Sequence, residues 1–408
     1  MSSGSVLSEK RILLGVSGGI AAYKAAEVVR SAMRAGAEVR VILTSGGARF
    51  VTALTFQALT QNPVSTNLFD PGQEQEIGHI DLADWADLLL IAPATANVIA
   101  RLAMGMADDL LTTVALATRA PLVLAPAMNV HMYRHAAVQR NIKELRNGGA
   151  HVVDPAEGEM ACGHVGEGRL ADTEDILDGA ARAISTQDLS GVALLVTAGP
   201  TEEPIDPVRV ISNRSSGKMG YALARAAWRR GADVTLISGP VDPGLRVPRG
   251  VRLRRVETAL EMGDAVLEHY PKASVVVMAA AVADWTPDSV SSLKIKKGEG
   301  NLRLDLKQTR DILSQLGRAK GDRLLVGFAA ETDRVIENAR KKLEGKNLDL
   351  VVANDVTVDG AGFGVDTNQV VILDRDGTER PLPLLSKERT ADAILDSVSA
   401  LLSPRARS

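Results

Sequence analysis

The chain has 408 residues, a formal net charge of −3 and a single cysteine, Cys162. This length suits two or three domains that each bury a core, and the charge argues against a general nucleic-acid binder. One cysteine excludes an internal disulfide framework and fits a reducing compartment. Residues 1–5 are polar and unlike a signal peptide, and the most apolar stretch, 88–104, is interrupted by Pro93 and Arg101. We therefore expect a cytoplasmic protein without a membrane segment.

The first half alternates apolar runs with helical patterns. A buried strand is predicted over 11–16, a helix over 21–35 and a second strand over 38–43. Further strands follow over 87–92, 122–125 and 151–153, with a helix from about Asn97. Strands that alternate with helices indicate a doubly wound parallel sheet.

A second α/β series begins after the polar stretch 185–191, so we place a domain boundary near residue 188. Its strands are predicted over 193–197, 233–237, 274–279, 324–328 and 350–353. A last β pair surrounds the turn dipeptide Asp376-Gly377, with its first strand over 370–373, followed by a helix over 390–402 and a loose tail over 403–408. The fold class is α/β: two Rossmann-like domains, 1–188 and 189–408, with ligand sites at the carboxyl ends of mainly parallel sheets.

The loop after the strand 193–197 leads into a helix that begins near Lys218. Free N–H groups at a helix start attract anions, and Arg209, Arg214 and Lys218 would add positive charge. The loop is not a Walker A motif, because its first glycine is missing and Met219 stands where a metal-binding hydroxyl belongs. An ordinary strand–helix turn is the plain alternative.

In the first half, Ser17-Gly18-Gly19 follows the first strand without the spacing of a dinucleotide fingerprint. The second strand ends at Thr44 rather than at an acidic residue that could bind a ribose, so a mononucleotide such as FMN fits better. The segment 93–97 offers small residues and hydrogen-bond donors for the flavin or its phosphate, although a simple polar strand end would look the same.

Three further residues in this half have side chains suited to chemistry. His79 precedes an apolar helical segment, where a structural role is the commoner one. Asn129 follows a strand and could hold a carboxylate. Cys162 lies in the glycine-rich segment 158–168, which favours a mobile lid that carries a functional thiol.

Taken in order, these motifs resemble the bifunctional phosphopantothenoylcysteine decarboxylase / phosphopantothenate–cysteine ligase family of bacterial coenzyme A synthesis, essentially from end to end. The resemblance implies an N-terminal flavodoxin-like domain in which FMN oxidises the cysteinyl thiol so that the neighbouring carboxylate leaves as carbon dioxide. His79 would be the base or orienter, Asn129 would bind the carboxylate and Cys162 would protonate the product. The positions implied for FMN are Ser17, Gly18, Thr44, Ala94, Thr95, Ala96 and Asn97.

For the C-terminal half, the resemblance implies ligation of 4′-phosphopantothenate with cysteine through an acyl-cytidylate made from CTP. Asn213 would handle the acyl intermediate, Arg209 would assist, and Lys294 would neutralise charge on the nucleotide. We note that Lys294, Ile295 and Lys296 would place both lysines on one face if they formed a strand. The other implied CTP positions are Ala280, Asp284, Arg310, Asp311, Ile312, Leu313, Phe328, Lys342 and Lys346. Arg310 stands where the family usually has proline.

The resemblance also implies Mg²⁺ bound with CTP, for which the sequence defines no protein ligand. It implies a homo-oligomer, with trimeric decarboxylase contacts and dimeric ligase contacts that together give a dodecamer, and no nucleic-acid or membrane partner. One alternative is a flavin-binding regulatory protein of the same fold, which the presence of His79, Asn129 and Cys162 disfavours. A nicotinamide-dependent oxidoreductase is a second alternative, and it lacks the expected acidic residue after a second strand.

Overall fold

The computed structural model describes residues 5–68, 78–159, 163, 165–297, 301–358, 360–362 and 364–405. The chain divides into two compact units, Met1–Ser185 and Thr186–Ser408.

The first unit alternates strands and helices. Its strands are β1 (Arg11–Val16), β2 (Glu38–Leu43), β3 (Val64–Ser65), β4 (Leu88–Ala94), β5 (Leu122–Pro126), β6 (His151–Val152), β7 (Ala156–Glu159) and β8 (Val165–Arg169). Its α-helices are α1 (Ala25–Arg34), α2 (Ala53–Thr60), α3 (Gly78–Trp85), α4 (Ala96–Ala103), α5 (Leu110–Ala117), α6 (Val130–Arg134), α7 (Ala136–Asn147) and α8 (Thr173–Ile184). The predicted strands are all present.

The main sheet of this unit is parallel, with strand order β3-β2-β1-β4-β5-β6. Without the two-residue β3, this is the order of flavodoxin-like sheets. The central strand β4 is buried along its whole length, because α1 and α8 cover one face of the sheet and α4, α5 and α7 cover the other. Such coverage explains why the strands read as continuous apolar runs.

The second unit has a larger sheet and several short β pairs. Its strands are β9 (Ala193–Ala198), β10 (Glu202–Pro204), β11 (Val210–Ser212), β12 (Asp233–Ser238), β13 (Arg252–Arg255), β14 (Val275–Met278), β15 (Trp285–Pro287), β16 (Leu306–Gln308), β17 (Leu324–Glu331), β18 (Leu350–Asp355), β19 (Thr367–Asn368), β20 (Val370–Asp374), β21 (Glu379–Pro381) and β22 (Leu385–Ser386). Its α-helices are α9 (Lys218–Arg229), α10 (Ala259–His269), α11 (Ile312–Arg318), α12 (Val335–Gly345) and α13 (Lys387–Arg405).

The large sheet has the order β13-β12-β9-β14-β17-β18-β20-β21. The six strands from β13 to β18 are parallel, and β20 and β21 continue the sheet as antiparallel strands. Helices α9 and α13 pack on one face, and α10, α11 and α12 pack on the other. The fold prediction of two mainly parallel, doubly wound sheets is confirmed.

Four local predictions need correction. The segment Ile20–Lys24 is a 3-10 helix, and the α-helix begins only at Ala25. The glycine-rich segment predicted as a lid loop is flanked by β7 and β8, which pair as an antiparallel hairpin. Lys294, Ile295 and Lys296 lie in a loop rather than on a strand. Helix α13 continues to Arg405, so the first residues of the predicted tail are helical.

In both main sheets the chain reverses its direction of growth beside the first strand. The first sheet grows from β1 through β2 to β3 and then resumes at β4, on the other side of β1; the second does the same around β9 and β14. Ligands of open α/β sheets bind at such a switch point, outside the carboxyl ends of the strands. The two candidate sites follow from this rule.

Candidate functional site

At the switch point of the first unit, side chains from the ends of β1 and β4 are joined by hydrogen bonds. The buried Ser17 hydroxyl donates to the Pro93 carbonyl at 2.7 Å, and the Thr95 N–H donates to Ser17 Oγ at 3.1 Å. Thr95 is also the N-cap of α4, where its hydroxyl accepts from the Val98 N–H at 3.4 Å. Ala96 and Asn97 form the first turn of α4, so Ser17 and the segment 94–97 lie together at a helix start.

Two glycines bring the loops after β1 and β2 into close contact. A Cβ built on Gly18 would lie 2.7 Å from the carbonyl carbon of Gly46, closer than real side-chain contacts allow. Thr44 holds the second loop in place, since its hydroxyl donates to the Val16 carbonyl and accepts from the Gly47 N–H, both at 3.1 Å. The predicted residues Gly18 and Thr44 therefore adjoin the Ser17–Thr95 pair at one sheet edge.

Asn129 lies beyond the end of β5 at the same edge of the sheet, where Ala127 N–H donates to the Ala94 carbonyl at 3.0 Å. Its side chain caps α6 by accepting from the His131 N–H at 2.9 Å. The β7–β8 hairpin packs here as well: Met128 N–H donates to the Gly168 carbonyl, and a Cβ on Gly168, whose φ is +143°, would lie 2.3 Å from the Met128 carbonyl oxygen. The hairpin glycines thus permit close packing against Asn129.

Of the remaining two predicted decarboxylase residues, His79 is the one that the structure describes. His79 is half-buried in the first turn of α3, which packs against α5. Cys162 lies outside the described residues, between the two strands of the hairpin.

The switch point of the second unit opens into a cleft of about 790 Å³. It is lined by the loop before α9, the ends of β14 and β17, the start of α11, and the end of α12. Predicted site residues in its wall are Asn213, Ala280, Asp284, Arg310, Asp311, Ile312, Leu313, Phe328, Lys342 and Lys346.

Small residues and hydroxyl groups connect the strand ends in the middle of this cleft. Ala280 N–H donates to Thr197 Oγ1 at 3.1 Å, linking the ends of β14 and β9. Asn213 is exposed on the loop before α9, and its side-chain N–H donates to the Ala281 carbonyl at 2.9 Å. This bond fixes the Asn213 amide at the sheet edge, in the wall of the cleft.

Two lysines mark one end of the cleft, Lys342 within α12 and Lys346 at the C-cap of that helix. Lys342 donates to the Phe328 carbonyl at 2.6 Å, and Lys346 lies 2.9 Å from Asp311, the N-cap of α11. Burial and then the nearby Lys346 charge lower the pKa of Lys342. Burial works to raise the pKa of Asp311, but the Ser314 N–H and Lys346 outweigh it and hold that pKa below its usual value. This end therefore presents lysines to a ligand that brings negative charge.

Asp284 and Arg310 lie at the entrance to the cleft. Both are exposed, and the Asp284 carbonyl accepts from the Thr309 N–H at 2.9 Å, which ties together the two loops that carry them. The Arg310 side chain lies 3.0 Å from Asp264 of α10. Arg310 is thus held toward α10 by this exposed ion pair.

Arg209 and Lys294 do not belong to the cleft wall. The Arg209 guanidinium pairs with Asp206 at 2.8 Å and donates to the Ile295 carbonyl at 3.0 Å. Buried Asp206 also accepts the Ile295 N–H at 3.1 Å. In this structure Arg209 therefore anchors the loop that carries the exposed Lys294.

Sequence reasoning missed Lys387 and Asp366, which lie near the start of α9. Lys387 lines the cleft as the first residue of α13, and Asp366 pairs with Lys218 at 2.6 Å. A lysine at a helix N-terminus is unusual, because the helix dipole disfavours a cation there. A lysine at the start of the last helix was therefore the feature of the sequence that could have pointed to Lys387.

Within the ranges that the structure describes, no group of three or more His, Cys, Asp or Glu side chains could hold a metal ion. A search of the same ranges found no helix that is both long and apolar enough to span a membrane.

Two family models together match nearly the whole chain. The model described as Flavoprotein matches residues 1–185, and the model described as DNA/pantothenate metabolism flavoprotein C-terminal domain, or DFP, matches residues 189–402. The class defined by the fold and these matches is a two-domain flavoprotein.

Relatives with both domains carry the name coenzyme A biosynthesis bifunctional protein CoaBC. The protein of Bacillus subtilis is 51% identical over 97% of this chain and 98% of its own length. Those of Vibrio cholerae and Escherichia coli K12 are each 47% identical, over 95% and 96% of this chain and 98% and 97% of theirs. The chain belongs to the CoaBC family: it is a bifunctional enzyme of coenzyme A biosynthesis, with a flavoprotein decarboxylase domain and a DFP ligase domain.

Two solved structures resemble the separate halves. The C-terminal domain of a CoaBC protein is 42% identical, with 54% of this chain and 100% of that chain covered and a TM-score of 0.46. A PPC decarboxylase mutant complexed with pantothenoylaminoethenethiol is 30% identical, with 41% and 93% covered and a TM-score of 0.37.

Proposed function

We propose that this enzyme makes 4′-phosphopantetheine in two steps. Residues 189–408 would join 4′-phosphopantothenate to cysteine with CTP, and residues 1–188 would decarboxylate the product with FMN. The observation that carries the first step is the cleft of the second unit, which gathers Asn213, the small residues at the end of β14, and Lys342 with Lys346.

In the ligation, a carboxylate oxygen of 4′-phosphopantothenate attacks the α-phosphorus of CTP, and pyrophosphate leaves. The cysteine amine then attacks the acyl carbon of the acyl-cytidylate, and CMP leaves with the electron pair of the broken C–O bond. Asn213, held by the Ala281 carbonyl, offers its amide to the acyl group between these two steps.

The nucleotide would lie toward α12 in this proposal. Lys342 and Lys346 bring two basic side chains to that end of the cleft, where Lys346 pairs with Asp311. Phe328, Ala280 and the 310–313 segment supply surface for the base and ribose, with Asp284 at the entrance. Arg209 would act indirectly, by holding the loop from which Lys294 could reach the phosphates.

Mg²⁺ would accompany CTP as an ion held mainly by the nucleotide phosphates and water, a common arrangement for this cation. This fits the described residues, which offer no ready-made cluster of three metal ligands. No step of the proposal depends on a protein ligand to the ion.

For the decarboxylase, the edge around Ser17, Gly18, Thr44 and Thr95 fits FMN. The Gly18–Gly46 contact leaves no room for a side chain, so backbone can approach a phosphate closely, and the start of α4 adds N–H groups. FMN, when bound, supplies oxidation of the substrate thiol and the later return of two electrons. Asn129 would hold the departing carboxylate, His79 would orient it or act as base, and Cys162 would protonate the product.

The assembly and location complete this proposal. We propose a homo-oligomer in the cytoplasm, with trimeric contacts through the decarboxylase domain and dimeric contacts through the ligase domain, hence a dodecamer. Light scattering at several concentrations tests the assembly.

The deciding experiment supplies 4′-phosphopantothenate, cysteine and either CTP or ATP. We expect CMP, carbon dioxide and 4′-phosphopantetheine with CTP. Asn213→Asp should stop CMP formation while added 4′-phosphopantothenoylcysteine is still decarboxylated, and His79→Asn should have the opposite effect. Equal loss of both activities in either variant would contradict the division into two sites.

A further inference from the structure

The carboxylate of Asp206 joins two loops of the second unit that are far apart in sequence. Asp206 lies between β10 and β11, and its partner Ile295 lies 89 positions further along, in the loop after β15. The same two loops are also tied by the Ser291 N–H, which donates to the Ile205 carbonyl at 3.0 Å. Asp206 is only 2% exposed, and an ionised group is costly to bury unless hydrogen bonds compensate its lost hydration.

The two oxygens of this carboxylate have different partners. Oδ1 accepts from the backbone N–H groups of Val208 and Arg209, at 2.8 and 2.9 Å, and so closes the turn in which Asp206 itself lies. Oδ2 accepts from the Arg209 guanidinium at 2.8 Å and from the Ile295 N–H at 3.1 Å. One oxygen therefore shapes the local turn, and the other holds a predicted ligase side chain together with a distant loop.

Arg209 completes the hold on this loop. Its guanidinium donates to the Ile295 carbonyl at 3.0 Å, so Asp206 binds the N–H of Ile295 while Arg209 binds the C=O. The Ile295 N–H belongs to the peptide group that links Lys294 to Ile295. The side chain of Lys294 is exposed. A long, flexible side chain reaches a defined point only from a fixed backbone, and this pair supplies that fixed point.

The carboxylate is charged at neutral pH. Burial works to raise the pKa of Asp206, but the N–H groups of Val208, Ile295 and Arg209, together with the Arg209 charge, outweigh it and hold that pKa below its usual value. Oδ2 is therefore an anionic acceptor, which makes its bonds to Arg209 and Ile295 stronger than those of a neutral amide oxygen.

Building on the proposed function, we propose that Asp206 is a positioning residue of the ligase, and that its Oδ2 holds Arg209 and the backbone beside Lys294 in the arrangement that ligation needs. Asp206 acts through these two residues and contacts neither the nucleotide nor the acyl group. Its Oδ1 serves the turn alone.

Asp206→Asn separates the roles of the two oxygens. With its amide oxygen in the place of Oδ1, asparagine still accepts from the turn N–H groups, whereas its NH₂ group in the place of Oδ2 is a donor that faces two donors. We expect kcat for CMP formation to fall about 10- to 100-fold, while the KM for CTP changes much less. Decarboxylation of added 4′-phosphopantothenoylcysteine by the same chain should be unchanged.

Asp206→Ser is a second variant with the same purpose. A serine hydroxyl accepts from the N–H groups of such a turn and has no second oxygen. Hydrogen exchange of the β10 and β11 amides reports on the turn in both variants, and we expect their protection to be retained. If both variants lose this protection, the carboxylate serves the turn itself and the assignment is overturned.

Double-variant cycles distinguish positioning from simple stabilisation. Asp206→Asn is combined once with Lys294→Gln and once with Arg209→Gln, and CMP formation is measured for each single and double variant. If Asp206 acts through either residue, the double variant should be little slower than the slower single variant. Losses that multiply in both cycles would show that Asp206 acts independently of both residues, which overturns the assignment.

Glu203→Gln is the matched control. Glu203 is a second buried carboxylate, on β10, and it accepts the Ala259 N–H at the start of α10 at 2.8 Å. This variant removes a buried charge from the same β pair without touching the loop of Lys294, so kcat for ligation should stay within about twofold of the wild type. A loss equal to that of Asp206→Asn would mean that any buried charge of this β pair is needed, and it would contradict a specific role for Asp206.

Failure of this assignment is distinct from failure of the function on which it rests. If the wild-type enzyme forms no CMP from CTP, 4′-phosphopantothenate and cysteine, the proposed function fails. If the wild type forms CMP and both Asp206 variants keep its rate, only the positioning role is overturned.

Discussion

The two switch points of this enzyme have similar backbone connections but different side chains. Each joins the end of a first strand to the end of the strand beyond the reversal, through Ser17–Thr95 in one unit and Thr197–Ala280 in the other. The predicted flavin edge uses hydroxyls, glycines and a helix start, whereas the cleft of the second unit has lysines on both sides of its sheet. The comparison teaches that topology fixes where a ligand binds, and the loop residues fix which charge it carries.

Replacing Gly18 should produce the largest effect of the variants considered, and it should affect only the predicted flavin site of the first unit. Gly18→Val places a branched side chain against Gly46, where even a Cβ would lie 2.7 Å from the backbone. We expect purified protein that lacks the yellow colour of FMN and a decarboxylase rate reduced more than about 100-fold, with CMP formation retained. Gly19→Ala is the control, since its Cβ would meet only Thr95 at 3.6 Å. Retained flavin in Gly18→Val would show that this edge is not the flavin site.

At the amino ends of the strands, each of the two sheets has an aspartate in an ion pair, and the contributions of these two ion pairs to stability can be compared. Asp349 precedes β18, lies 2.7 Å from Lys320 and accepts the Leu325 N–H at 2.8 Å, and both charged side chains are buried. Asp349→Asn removes the carboxylate charge that balances buried Lys320, which keeps its hydrogen bond to the Asn347 carbonyl at 3.0 Å, so it should lower the unfolding free energy of the second unit by about 3–5 kcal/mol. Hydrogen exchange of the β17 and β18 amides measures this. Unchanged protection there would mean that Lys320 finds another partner.

Lys342→Gln should come next in size. It removes the half-buried lysine that donates to the Phe328 carbonyl, so the KM for CTP should rise about 10- to 100-fold. Decarboxylation of added 4′-phosphopantothenoylcysteine should be unaffected. Initial-rate kinetics with Lys341→Gln as the charge-matched variant test this, and a variant that keeps its CTP affinity would move the nucleotide away from α12.

Asp87→Asn should have the smallest effect. Asp87 precedes β4 as Asp349 precedes β18, but its bond with Arg11 at 2.9 Å is partly exposed, so about 0–1 kcal/mol should be lost. The bond with Arg11 lowers the pKa of Asp87, against the effect of burial. This contribution should therefore be complete above pH about 4 and fade as the pH falls through the lowered pKa. Acid unfolding of Asp87→Asn and Asp349→Asn, followed by circular dichroism, compares the stability lost in each variant. An equal loss in the two variants would contradict this prediction.

Much of the fold could be read from the sequence because buried parallel strands leave a strong signal. Apolar runs such as β4 and β14 are covered by helices on both faces, so they contain almost no polar residues. Ser17, Thr95 and Asn213 follow such strands or precede a helix, and their positions in the sequence point to the sheet edge. Charged edge strand β13 escaped prediction because its residues are exposed.

The sequence by itself determined the two α/β units, the succession of strands and helices along each of them and which loops follow the carboxyl ends of the strands, since these depend on local patterns. Only the tertiary structure decided which charges meet there. Lys387 lies 169 positions beyond Lys218, and a lysine is informative only once its neighbours are known. Arg209 and the loop that carries Lys294 show the same dependence, because the Arg209 guanidinium reaches the Ile295 carbonyl, 86 positions further along the chain. Which charged side chains become neighbours is a non-local property, because it depends on how the fold brings distant parts of the chain together.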